Sequence, residues 1–244
     1  MPETATTAGS SPASKGLLAR IIGVMTAPRE TFGSVVRAPK WLGILVITTL
    51  IAATFTALPL TTAEGRQAAL DQQVTQMKSF GFEVNDRMYE QMERRAAWMP
   101  YTTGIGVLIV SPIMALIGTG ILFAIFNAAM GGDASFKQVF SVFLHAGVIS
   151  MLREVFSGSL NYFRGTMTSV SNLSALLPML PEQSFFGHFL AMIDIFYVWY
   201  VIVLAIGLAV LYRRRTQPIA ITLFAIYGVI AIVVALIKTK LGGA

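Results

Sequence analysis

The stretch FFGHFLAMIDIFYVWYVIVLAIGLAVLY, residues 185–212, decides the class of this protein. It runs for 28 residues with Asp194 as its sole acid, and a helix needs only about 20 apolar residues to cross the hydrocarbon core of a bilayer. Read as one helix rising about 1.5 Å per residue, the run sets Asp194 about 13 Å from its start, inside the apolar slab. A carboxyl there is costly, so it faces a bundle interior or a polar cavity and needs a partner. The same helical face carries Leu190, Tyr197, Val198 and Val201, which brings a tyrosine hydroxyl beside the carboxyl.

Further apolar runs occupy residues 41–60, 101–130, 136–156 and 218–237. Together they predict an all-α integral membrane protein, a five-transmembrane-helix bundle forming one domain over residues 41–237. Composition agrees: the chain is 55% hydrophobic and 12% charged, about half the charge of a soluble domain. The absence of cysteine excludes disulfides, thiolate catalysis and Cys-based metal sites. The net charge of +6 comes from residues that flank apolar runs, so anionic lipid headgroups are its expected counter-charge, and no nucleic acid is expected.

The third run is the ambiguous one. Only residues 139–152 of it are free of charge, a length that also suits a re-entrant or interfacial segment. Lys15, Arg20, Arg29, Arg37 and Lys40 precede the first run, and Arg213, Arg214 and Arg215 fill the loop before the last. The positive-inside tendency sets both clusters in the cytoplasm, which requires the third run to cross. The N-terminus is then cytoplasmic and the C-terminus extracytoplasmic, in a cytoplasmic (inner) membrane. Summed over all loops the basic residues divide evenly, so the triple-Arg loop carries this assignment.

Residues 1–14 are rich in Thr, Ser and Ala and read as a disordered tail without the basic start of a cleavable signal peptide. The first apolar run is then an uncleaved anchor. Over residues 15–40, Leu17, Leu18, Ile21, Ile22 and Met25 recur at helical spacing, and Pro28 with Glu30 suits a second helix start. One or two amphipathic helices on the cytoplasmic surface fit this pattern, with Arg20, Arg29, Arg37, Lys40 and the triple-Arg loop as membrane-surface basic groups. An arm packed on the bundle fits it as well. In the first outside loop, residues 61–100, two apolar stripes flank Ser79-Phe80-Gly81-Phe82, and Glu90 and Arg94 form an i,i+4 pair, which predicts a short helical hairpin. Residues 157–184 read as irregular, with a partly apolar piece that dips to the interface.

The intramembrane polar residues form one candidate cluster: Asp194, His145, Arg153, Tyr197 and Asn127, with Glu154 and His188 nearby in the runs. One reading is a proton or ion path through His145 and Asp194, as in a small-solute or ion permease or its auxiliary subunit. The other is that Asp194 pairs with Arg153 or a histidine to fix one helix packing. An aspartyl intramembrane protease would need a second acid at the same depth. HExxH, Walker A and dinucleotide-binding patterns are absent. No catalytic, cofactor-binding or metal site is therefore expected, and the chain reads as no enzyme. Gly118-Thr119-Gly120, with Gly104 and Gly106, suits close helix contact, and Pro112 suits a kink.

Three phrases resemble the Ypt-interacting-protein (Yip) domain family, in its prokaryotic branch: VMTAPRETFGSVVRAPKW before the first run, GGDASFKQVFSVFLHAG opening the third, and IDIFYVWYVIVLAIGL in the fourth. The likeness covers residues 16–237. Its motifs are Pro-x-x-Thr-Phe, Gly-Gly-x-x-Ser-Phe-Lys, and Asp-x-Phe-x-x-Trp at Asp194, Phe196 and Trp199. The resemblance implies a multispanning protein with a cytoplasmic N-terminus. Eukaryotic relatives are trafficking factors that bind prenylated Rab-type GTPases. Their acidic–aromatic–Gly–Pro motif before the first span is missing here, so that role does not carry over. What remains is a non-enzymatic membrane scaffold or adaptor, with the bilayer, other membrane proteins and a second copy of itself as the expected partners.

Overall fold

The computed structural model describes residues 16–242 apart from Val170, Pro178, Leu180, Glu182 and Gln183. The tail over residues 1–14 and Lys15 lie outside the described residues. Among the described residues all elements are helical, and a single isolated bridge joins Asn172 to Asp194.

Two short helices open the chain, α1 (Leu17–Thr26) and α2 (Pro28–Arg37), followed by α3 (Leu42–Ala57), which a 3₁₀ turn extends to Thr61. Next come α4 (Ala63–Ser79) and α5 (Asp86–Ala96), with the exposed Glu90–Arg94 pair at 3.7 Å. Helix α6 (Met99–Phe123) contains Pro112 and ends in a π-helical turn, Ala124–Ala129. Helices α7 (Phe136–Ala146) and α8 (Val148–Arg164) meet at Gly147, whose torsions stay in the right-handed helical region. The chain finishes with α9 (Phe185–Met192), α10 (Ile195–Leu211) and α11 (Thr216–Gly242).

Four stretches are long and apolar enough to cross a membrane: Leu42–Thr61, Met99–Ala128, Phe136–Arg164 and Thr216–Lys240. The third run thus gains the length it lacked, because its helix continues well past residue 156 through the amphipathic turns of α8. That helix is the centre of the molecule. Half of its most apolar window is buried, against 17–22% for the other three, and α3, α6, α2 and α10 all pack on α7 or α8. The outer faces of α3, α6 and α11 expose Val46, Leu50, Ile109, Ile117, Val229 and Ile232, as expected where lipid is the solvent.

The fourth run departs from expectation. It is not one helix: it breaks at residues 193–194, and Ile193 and Asp194 adopt extended backbone. The face shared by Leu190, Asp194 and Tyr197 therefore does not exist. Helix α10 has 17 residues, a rise of about 25 Å. Asp194 therefore stands at the N-terminal end of α10 rather than inside a helix.

Small residues set the helix spacings, since dispersion and fit rather than water hold helices together in lipid. A Cβ on Gly158 of α8 would come 2.1 Å from the Phe55 carbonyl oxygen, so α3 and α8 touch backbone to backbone. A Cβ on Gly118 would meet the Phe143 ring at 2.8 Å, whereas Gly106 and Gly120 face open space. Only part of the Gly-rich pattern in α6 is thus a contact.

Helix α2 is wedged into the bundle against α7 and α10. Pro28 starts it at its first turn, where a missing N–H costs nothing. Thr31, Phe32 and Val35 are fully buried, and the Phe32 ring lies against Gly207 and the neighbouring Val142. Arg20 is buried too, not a surface group, and its Nη1 donates to the Ala38 carbonyl at the end of α2. A cation there complements the helix dipole. The outer face of α1 leaves Leu18 and Ile22 exposed.

Candidate functional site

Asp194 is the N-cap of α10. Its Oδ1 accepts the Phe196 N–H at 2.8 Å, which satisfies a donor that the helix start would leave bare. Its Oδ2 accepts Arg153 Nε at 2.9 Å and the Ser171 hydroxyl at 2.5 Å. The Asp194 side chain is 3% exposed and that of Arg153 20%.

The break needs more than one side chain, because unwound backbone in an apolar setting must find partners. The irregular loop supplies them. The Leu173 N–H donates to the Ile193 carbonyl at 2.8 Å, and the Ile195 N–H donates to the Ser171 carbonyl at 3.1 Å. From α11, the Tyr227 hydroxyl donates to the Met192 carbonyl at the end of α9. The dipping segment expected between the third and fourth runs is therefore a clasp on the broken helix.

Arg153 organises the other side. Its Nη1 donates to Glu154 Oε1 at 2.8 Å, and its guanidinium lies 5.1 Å from the centre of the Tyr197 ring. Glu154 Oε2 accepts the Thr56 hydroxyl at 3.3 Å, which ties α8 to α3. One arginine thus serves two carboxylates, a formal count of one positive charge against two negative.

Of the five residues expected to cluster, the structure joins Asp194, Arg153 and Tyr197. His145 is elsewhere: it precedes Arg153 by eight residues, about 12 Å along the helix. Fully buried, it has its Nδ1 2.7 Å from the Ser141 carbonyl, and its Nε2 finds no protein partner. Asn127 is elsewhere as well. It accepts the Tyr212 hydroxyl and donates to the Ala134 carbonyl, both at 2.6 Å. With Phe126 stacked on Tyr212, and Arg214 donating to the Met130 carbonyl, it latches the α6–α7 turn to the end of α10. Gly131 has φ +66°, and a Cβ on Gly132 would strike the Tyr212 ring at 2.4 Å, so this turn needs its glycines. Arg29, Arg37, Lys40, Arg213, Arg214 and Arg215 are exposed.

Thr56, Ser171 and the full part of Glu154 were not legible as members of the site. A threonine in an apolar run and a serine in a polar loop carry no pattern. The adjacent charges Arg153-Glu154 in a membrane segment were the usable signal.

The arrangement fixes geometry. Every Asp194 oxygen is committed to donors, and among the described residues no group of three or more potential metal-ligating side chains occurs. No curated protein and no solved structure matches the chain. The model of one family, the Yip1 domain, matches residues 22–237.

Proposed function

Because the chain belongs to the Yip1 domain family, we propose that it is a non-enzymatic membrane scaffold or adaptor that organises membrane or partner proteins. The observation that carries this reading is the saturation of Asp194: its carboxylate holds a broken helix to Arg153, Ser171 and the α10 N-terminus, which suits a packing role. A proton path would need a carboxylate free to exchange partners, with His145 in reach. Instead His145 is bonded one turn back, to Ser141.

In this reading α10 is a fifth, short crossing. The N-terminus and the Arg213, Arg214 and Arg215 loop face the cytoplasm, and the α4–α5 hairpin lies on the far side. The bilayer and other membrane proteins are the partners. The exposed apolar faces of α3, α6 and α11 are available to both.

The test is site-specific photo-crosslinking from those faces in native membranes, paired with flux assays on purified protein in liposomes. The adaptor reading expects discrete protein adducts that recur from neighbouring positions, and no flux driven by pH or potential. Lipid adducts alone, combined with proton-driven solute flux, would replace it with the permease reading.

A further inference from the structure

The structure contains a cavity of about 550 Å³ between α3, α6, α7–α8 and α10, within the size range of small-molecule sites. From Phe143 to Glu154 its wall follows the central helix for roughly 16 Å. Helices α6 and α10 both pack on α7, and each contributes one flank, through Ser111 and Met114 on one side and Tyr197 and Tyr200 on the other. The wall is mostly apolar. Its polar points are hydroxyls and one carboxylate, that of Glu154.

Glu154 gives the cavity its sign. Arg153 supplies one positive charge to two carboxylates, giving its Nε to Asp194 and its Nη1 to Glu154, whose second oxygen accepts the Thr56 hydroxyl. Among the described residues no other charged side chain lines the space. The three groups carry a formal surplus of one negative charge, and Glu154, 28% exposed on the cavity wall, is where a bound cation relieves it. The rings of Phe143 and Tyr200 line the same wall, and Tyr197 there already carries the Arg153 guanidinium, so aromatic side chains at this wall suit a cation better than an anion. Thioether and aliphatic side chains along the remainder accept a hydrocarbon chain.

We infer that this cavity binds a lipophilic organic cation, an amphiphile with a single ammonium head near Glu154 and its chain towards Phe143 and Met114. The inference goes beyond the scaffold reading and does not depend on it, since a scaffold and a permease could both hold such a ligand.

Full-length protein in phosphatidylcholine nanodiscs is titrated with decyltrimethylammonium, and with decanol and decyl sulfate as neutral and anionic probes of equal chain length. Empty nanodiscs correct for partition into lipid. Saturable binding of the cation, at least tenfold tighter than either partner probe, is expected. Glu154→Gln should weaken it tenfold or more. Ser111→Phe, which fills the cavity and leaves the charged group intact, should abolish it even if Glu154→Gln fails to fold. The proposal is overturned by equal or tighter binding of decanol or decyl sulfate, by binding no greater than to empty nanodiscs, or by undiminished binding in folded Ser111→Phe.

Discussion

Asp194 is a helix cap first and a buried charge second. Its Oδ1 closes the start of α10, and only its Oδ2 is left to the ion pair. Asp is a preferred N-cap residue, so this role was available to sequence reasoning. It was hidden because no Gly or Pro stands within five residues of Asp194; the run's two glycines, Gly187 and Gly207, lie away from the break. The overlooked signal was length: 28 residues rise about 42 Å, well beyond a 30 Å slab. The glycines show the same scale of control. Gly158 faces a carbonyl oxygen that cannot move without shifting α3, whereas Gly207 faces Val142 and Phe32, side chains that can adjust. Gly158→Ala should therefore destabilise the protein by about 1–3 kcal/mol, and Gly207→Ala by less. Thermal unfolding in detergent reads both. The reverse order would mean that α3 and α8 do not meet as closely as described.

At the scale of elements, apolar length was legible and environment was not. Four of the predicted runs correspond to stretches able to cross, including the third, whose continuation into α8 was masked by Arg153 and Glu154. The facing of α2 could not be read, because an amphipathic helix presents the same pattern to a bilayer surface and to a protein groove. Phe32 settles into the groove, fully buried. Phe32→Ala should cost about 3–5 kcal/mol and speed tryptic cleavage at Arg37 and Lys40 as α2 loosens; unchanged cleavage would place α2 outside the core. The clasp makes a separate prediction. Ser171→Ala removes a hydrogen bond to a charged acceptor, a loss of about 1.5–3 kcal/mol. Hydrogen exchange at the Leu173 and Ile195 amides should accelerate, while α7 amides keep their protection.

The whole molecule is a central helix, α7–α8, with spans arranged around it and a wedge, α2, at one end. The family motifs fall on its joints. Pro28, Thr31 and Phe32 seat the wedge. Gly131, Gly132 and Ser135 make the turn into α7, where Ser135 and Gln138 form a capping box. Asp194 and Phe196 start α10. The five-crossing arrangement is testable because the chain has no cysteine. In sealed vesicles, an impermeant maleimide should label Arg37→Cys and Gln217→Cys from one side, and Gln72→Cys and Lys240→Cys from the other. Gln217→Cys labelled together with Gln72→Cys would refute it. Whether the Asp194–Arg153 pair holds the broken helix in the bundle is read by a double-mutant cycle. Unfolding free energies of Arg153→Met, Asp194→Asn and the double variant are compared with the parent. Arg153→Met, which strands a buried charge, should cost about 3–5 kcal/mol, and the two changes should couple by at least about 1 kcal/mol. Single variants as stable as the parent, with additive effects, would mean that the pair does not hold the helix.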